Sequence, residues 1–183
     1  KPGIKIACYT DWTGINQLVE PNTVDFFHYA NAGVPFRSST IVSELIPVIT
    51  EHTPELTFIH FDDIDETGHA NGWGSEKYYE AISLVDHEIG LLTDAYESAG
   101  ILNDTLILVI SDHGGQSAGH GFTNQKNIEI PWIATGPGVK EDYVFSSYLR
   151  NMDTPATALY ALGIEQPSLW MGRAATEAWT GVP

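Results

Sequence analysis

The sequence predicts an α/β fold with a mostly parallel central sheet flanked by helices, and three observations carry that prediction. Leu56–Phe61 and Leu106–Ile110 are short apolar runs with β-branched residues, bounded by polar or glycine residues, as strands of a buried parallel sheet read. Between them, from Ser75 to Ala99, lies the longest helical pattern in the chain. Both strands run out into Asp/His clusters, and open α/β sheets place their sites beyond the carboxyl ends of strands.

The other elements follow in order. Gly3–Tyr9 reads as a strand and the residues from Thr10 to Gly14 as the loop after it. Asn16–Pro35 has mixed polarity and no assigned element, although Phe26, Phe27 and Tyr29 are expected to pack. Ile41–Ile49 is an amphipathic helix with Ser38, Ser39 and Thr40 supplying its N-cap, and Pro47 should bend it or move its boundary. After the Leu56 strand a loop carrying Asp62, Asp63, Asp65 and His69 leads through a second loop, Asn71–Gly74, to Ser75. In the long helix Tyr78, Tyr79, Ile82, Val85, Ile89, Leu92 and Tyr96 recur at helical spacing, with Asp86 and Glu88 on a polar face and Gly100 as the stop. Leu106–Ile110 is read as a central strand buried on both faces, Ile130–Thr135 as another strand, and Asp153–Leu162 as a helix with Pro155 in its first turn, ended by Gly163. The last stretch should pack as a tail across the sheet.

With 183 residues, 43% hydrophobic and 11% aromatic, the chain fits one folded domain without repeats or linkers. Its net charge of −16, from 24 acids and 8 bases, argues against binding a nucleic-acid duplex or an anionic membrane surface. An enzyme this acidic that handles phosphate anions would need metal ions to offset the charge locally. The lone Cys8 excludes an intrachain disulfide and is expected to be buried. No apolar run approaches the about 20 residues of a membrane span, no signal peptide is recognisable, and the compartment stays open. The start at Lys1, without Met and close to a strand, is read as a missing beginning; an unpaired sheet edge would then favour self-association.

Five residues in the two clusters are candidate ligands: Asp65, His69, Asp112, His113 and His120. Carboxylate oxygen and imidazole nitrogen suit zinc and similar divalent ions, and five ligands exceed the four of one zinc, which points to two metals. The glycines at 114, 115, 119 and 121 let the backbone fold tightly enough to turn these groups toward one point. The plainer readings are turn-capping side chains for Asp112 and His113, a solvated loop histidine for His120, and an acidic surface turn for Asp65 and His69. His28, His52, His60 and His87 lack a partner pattern and are read as structural or surface residues, with His60 near enough to support a ligand. Arg173 is read as a structural salt bridge ahead of a substrate contact.

Asp65-x-x-Gly68-His69, followed by Ser111-Asp112-His113-Gly114 and Gly119-His120-Gly121, resembles the C-terminal half of the alkaline phosphatase superfamily, in its type I phosphodiesterase/nucleotide pyrophosphatase-like branch. The likeness continues through Glu129–Trp132, Gly136–Val139, Met152–Ala156 and Leu162-Gly163 to Trp170–Arg173, and so covers the chain from about Leu56 onward. It implies that residues 1–183 are the C-terminal part of a single metal-dependent hydrolase domain lacking its N-terminal portion. It puts Asp65, His69 and His120 on one zinc and Asp112 and His113 on a second, with manganese as the alternative metal. In that family a further Asp and a Thr or Ser nucleophile complete the second site, and neither has a match here. Asp11 with Ser39 or Thr40 is a weaker substitute for that half-site.

The resemblance implies hydrolysis of a small phosphate ester, a diester or pyrophosphate, with the catalytic nucleophile outside this chain and little turnover by the chain itself. A phosphomonoesterase, a phosphonate or sulfate ester hydrolase, a phosphoglycerate mutase of the same superfamily, or a non-catalytic metal-binding domain would share these motifs.

Overall fold

A computed structural model describes residues 3–30 and 37–181. They form two compact units: one runs to Leu102 and adds His113–Glu129, the other comprises Asn103–Asp112 and the chain from Ile130 on. The fold is mixed α/β, with a parallel sheet flanked by helices, as the sequence predicts.

In the first unit β1 (Ile6–Thr10), β2 (Phe26–Tyr29) and β3 (Leu56–His60) make a three-stranded parallel sheet in the order β2-β1-β3. Strand alternation sends Ala7 and Tyr9 to one face, where they join Ile41, Val42, Leu45 and Ile49 of α2 (Arg37–His52) and Leu92 and Ala95 of α4 (Glu76–Ser98) in one core. Each large side chain buried there contributes about 1.5–3 kcal/mol. A four-residue helix, α1 (Thr13–Asn16), lies in the connection from β1 to β2. Cys8 is buried in β1, and burial pushes its thiol pKa up.

Several expectations shift. The helix predicted over Ile41–Ile49 runs from Arg37 to His52 and holds Pro47 inside it, so the proline does not set a boundary. Ser38, Ser39 and Thr40 belong to its first turn, and a cap before them, like residues 31–35 of the unassigned Asn16–Pro35 segment, falls outside the described residues. Helix α4 starts where expected, with the Ser75 hydroxyl accepting from the Tyr78 N–H, but its buried face is Ala81, Val85, Glu88, Leu92 and Ala95. Tyr79 and Ile82 point outward. Glu88 can occupy the buried row because the Ser39 hydroxyl donates to its carboxylate. The segment expected as a metal-bearing loop after β3 is a helix, α3 (Asp63–Asn71). Asp63, Asp65 and Glu66 in its first turn complement the helix dipole, a start signal present in the sequence.

An ionic knot fixes where α3 begins. The Arg37 guanidinium, 4% exposed, lies 3.2 Å from Asp62, 2.7 Å from Glu66, 3.8 Å from Asp11 and 3.9 Å from Asp63. Asp11, at the end of β1, also accepts from the Asp62 N–H at 3.0 Å and contacts His60 Nδ1 at 3.1 Å. The Ser38 N–H donates to Asp63 at 2.9 Å. Four carboxylates thus surround one guanidinium, and burial, with the neighbouring Asp11 charge, pushes the Asp62 carboxyl up to about 6.

The second unit is built on β4 (Ile107–Ile110) and β5 (Trp132–Thr135), which pair antiparallel. β4 is therefore not the central strand buried on both faces that its apolar run predicts. Its residues are half-buried, Ile110 is exposed, and among the described strands its ladder partner is β5. An unbroken apolar run signals burial without naming the strand's partner. The tail packs as expected: Ala175, Ala178 and Trp179 form a core with Leu106, Trp132, Val139, Phe145 and Leu149. Helix α6 (Asp153–Ala161) is anchored by its first residue, whose buried carboxylate accepts from the N–H groups of Arg150 at 2.8 Å and Arg173 at 2.9 Å. Burial opposes ionisation of Asp153, yet these two N–H donors hold its carboxyl below the usual range. Among the described residues no helix is long and apolar enough to cross a membrane.

Two measurements test this account. Because the folded pKa of Asp62 is raised, its contribution is most favourable below about pH 4 and is lost as pH rises through about 6. Asp62→Asn should therefore stabilise the protein by about 1–3 kcal/mol at pH 7–8, with the gain shrinking as pH falls from 6 toward 4 in urea melts. Asp153 has the opposite sign, with stability present above the unfolded carboxylate pKa and lost in acid. Asp153→Ala should cost about 2–3 kcal/mol at pH 7 and much less at pH 3.

Candidate metal centre

Helix periodicity builds the first half of the site. Asp65 and His69 stand four residues apart on α3, one turn above each other, with Asp65 Oδ2 3.4 Å from His69 Nε2. The second half is the loop 113–120, which returns to α3 and brings His120 Nε2 to 3.7 Å from Asp65 Oδ1. One ligand atom from each of Asp65, His69 and His120 lies within 4.8 Å of the others. His113 joins this group: its Nε2 is 4.0 Å from Asp65 Oδ1 and its ring stacks on His120 with centroids 3.8 Å apart. A short helix, α5 (Gln125–Ile128), holds the loop from behind, where the Gly114 N–H donates to the Asn127 carbonyl at 3.0 Å. Neither α5 nor the buried Asn127 is signalled by the sequence patterns.

The hydrogen bonds on the far side of the rings set their tautomers. His69 Nδ1 faces the Ala118 carbonyl at 3.1 Å and His113 Nδ1 the Gly114 carbonyl at 3.0 Å, so each Nδ1 carries the proton and each Nε2 offers a lone pair. Asp65 Oδ1 is buried with no hydrogen-bond partner, a state that costs about 1–3 kcal/mol unless a cation or donor satisfies it. Ligand atoms of one tetrahedral zinc, with bonds of about 2.0 Å, stand roughly 3.3 Å apart. The nearest approaches of the Asp65 carboxylate, 3.4 Å from Oδ2 to His69 and 3.7 Å from Oδ1 to His120, lie near that spacing, and the three ligand atoms stand within 4.8 Å of one another. One carboxylate and two imidazoles with a position left open is a donor set that fits zinc, and the residues present therefore fit the group.

Of the five residues predicted as ligands, Asp65, His69, His113 and His120 lie in the first unit and come together there. Asp112 ends the segment that belongs to the second unit; it is exposed, and its carbonyl accepts from the Asn151 side-chain amide at 2.7 Å. The neighbouring acids Asp62 and Asp63 are committed to Arg37 and Ser38. Of the substitute half-site of Asp11 with Ser39 or Thr40, Asp11 holds His60 and Asp62 while Ser39 donates to Glu88. His28 and His52 stack on Tyr9 and Phe26, in keeping with structural roles, and Arg173 forms a bidentate salt bridge with Glu177 at 2.8–2.9 Å. Two residues went unnoticed in the sequence. Arg37 is a lone cation beside a Ser/Thr run, and Trp73, whose ring lies against His69 and His120, sits in a Gly-Trp-Gly segment read as plain loop.

The family profile of type I phosphodiesterase / nucleotide pyrophosphatase matches residues 6–140. The match begins well before Leu56, where the motifs start, and ends before the Met152–Arg173 stretch that shares in the resemblance. Ectonucleotide pyrophosphatase/phosphodiesterase family member 1 of Rattus norvegicus is 27% identical over 150 residues, covering 80% of this chain and 16% of that protein. GPI ethanolamine phosphate transferase 1 of Saccharomyces cerevisiae is 25% identical over 168 residues, covering 81% and 18%. The chain thus spans less than a fifth of these curated relatives. The fold is shared with a phosphoglycerate mutase of Leishmania mexicana, with a TM-score of 0.66 at 18% identity over 93% of this chain and 37% of that one. A profile match over most of the chain, carrying the α3 and 113–120 ligand motifs within it, makes this protein a member of the type I phosphodiesterase/nucleotide pyrophosphatase family.

Proposed function

We propose that the chain forms the metal-binding part of a phosphoric ester hydrolase acting on small phosphodiesters or pyrophosphates. The observation that carries this reading is the Asp65/His69/His120 cluster with its unsatisfied Asp65 Oδ1, found inside the family match. Asp65, His69 and His120 would hold one divalent ion, with zinc preferred and manganese the alternative. His113, beside this cluster, would serve a second. Metals in paired sites stand about 3.5–4 Å apart, and the close approach of His113 to Asp65 and His120 agrees with such a shared wall. Bound ions of this kind lower the pKa of a coordinated hydroxyl or water and stabilise a leaving oxygen.

The residues of the chain prepare that chemistry in definite ways. The Ala118 and Gly114 carbonyls keep His69 and His113 protonated at Nδ1, so that Nε2 is presented to a cation. Asp65 supplies the negative charge that lets an ion settle among otherwise neutral imidazoles. With Ser39 bound to Glu88, we assign the attacking hydroxyl to polypeptide outside these 183 residues, and turnover by the chain alone should be small.

Elemental analysis of protein purified without added metal should find about one zinc per chain, lost in both His69→Ala and His120→Ala. Metal that is absent, or indifferent to both changes, would overturn the metal reading. Assays with chromogenic phosphodiesters and monoesters should give little hydrolysis by the wild-type chain. Metal-dependent turnover well above background, abolished by either substitution, would place the nucleophile within the chain and overturn its assignment elsewhere.

A further inference from the structure

We propose that Trp73 is a positioning residue of the Asp65/His69/His120 centre, an indole wedge that sets the distance between α3 and the 113–120 loop and fixes both imidazoles. The inference rests on the metal reading above and goes beyond its ligand list.

Four observations converge on this ring. The Trp73 indole lies edge-on to His69, with centroids 5.0 Å apart and planes at 84°, and to His120, at 5.9 Å and 72°. A Cβ placed on Gly68 of α3 would stand only 2.7–2.9 Å from Cε2, Cδ2 and Cζ2 of the indole, and one placed on Gly115 of the loop would overlap the same part of the ring. Both sides of the wedge are therefore glycines because the ring occupies the space a side chain would need. The backbone is tied at the same point, where the Trp73 N–H donates to the Ser117 carbonyl at 2.7 Å, one residue before the carbonyl that orients His69. Gly72, with φ of +94°, makes the turn that swings the indole back onto α3.

Rigidity gives the ring its purpose. The His69 and His120 side chains are 45% and 33% exposed, so burial alone does not immobilise them. They come from separate segments, and a mobile loop would present His120 at variable distance from Asp65. The aromatic edges restrict both rings, and the wedge holds the two backbones apart by a fixed amount. Groups that orient ligands without touching the ion typically alter metal affinity about 10–100-fold.

The test uses Co²⁺ as a paramagnetic stand-in for zinc, titrated into the metal-free chain and into His69→Ala, Trp73→Phe and Trp73→Ala. Absorbance reports binding and ligand geometry, tryptophan emission reports the ring nearest the ion, and circular dichroism with metal-free melting reports the fold. In the wild type, binding should quench part of the emission. In Trp73→Phe the ion should still bind, within about threefold, while the emission lost per bound ion falls by at least half. In Trp73→Ala affinity should drop about tenfold or more with an altered cobalt spectrum and an unchanged metal-free fold. Equal quenching in wild type and Trp73→Phe, or wild-type affinity and spectrum in Trp73→Ala, would overturn the positioning role while leaving the metal centre standing. Should Trp73→Ala fail to fold, the Trp73→Phe quenching decides. If the wild type binds no Co²⁺, or His69→Ala binds it equally well, the metal reading itself fails and the positioning role falls with it.

Discussion

One buried guanidinium holds the first unit in register. Arg37 enters at the start of α2 and meets carboxylates from the end of β1, the turn after β3 and the first turn of α3. A buried cation is costly unless paired, and a cluster of buried carboxylates is costly unless a cation neutralises it. Each is tolerable only with the other, so helix α3 can start in one place with respect to the sheet. Since Asp65 and His69 follow within that helix, the ligands inherit their position from the knot. Burial first, and then the neighbouring Asp11 charge, raises the Asp62 pKa in spite of the guanidinium.

The site is a meeting of two kinds of backbone. Helix α3 delivers Asp65 and His69 rigidly, at a spacing its geometry cannot alter. The loop 113–120 delivers His113 and His120 from an irregular path, so its precision has to come from elsewhere: α5 behind Gly114, carbonyls on the Nδ1 atoms, and the indole of Trp73 between loop and helix. In the proposed metal reading these supports would orient the ligands of an ion while leaving a coordination position open.

Strongly acidic composition fits this picture. Of the 24 acids in the chain, Asp11, Asp62, Asp63 and Glu66 are absorbed by Arg37, Glu88 by Ser39, and Asp153 by two backbone N–H groups, while Asp65 is left with an unsatisfied oxygen. Among the described residues, the buried carboxylate oxygen without a hydrogen bond is the one beside imidazole nitrogens. That contrast, more than the acidity itself, distinguishes a candidate ligand from a structural acid.

The sequence by itself determined the fold class, four of the five described strands, the long helix with its Ser75 cap, the tail packing and the candidate ligands carried by the motifs. These are written in local periodicity, capping chemistry and motif spacing. The family resemblance was likewise carried by short ordered motifs whose residues are chemically irreplaceable. Tertiary structure decided what local pattern cannot contain. The apolar run of β4 says that the strand is buried to some degree, not that it pairs antiparallel with β5. The spacing of Asp65 and His69 suits a loop or a helix until the knot fixes a helix start before it. Glu88 reads only as part of a polar face until Ser39 reaches it across 49 residues of chain. Trp73 reads as loop until the return of Gly115 closes a slot around its ring. In each case the deciding contact joins residues far apart in sequence, and a pattern read along the chain carries no record of it.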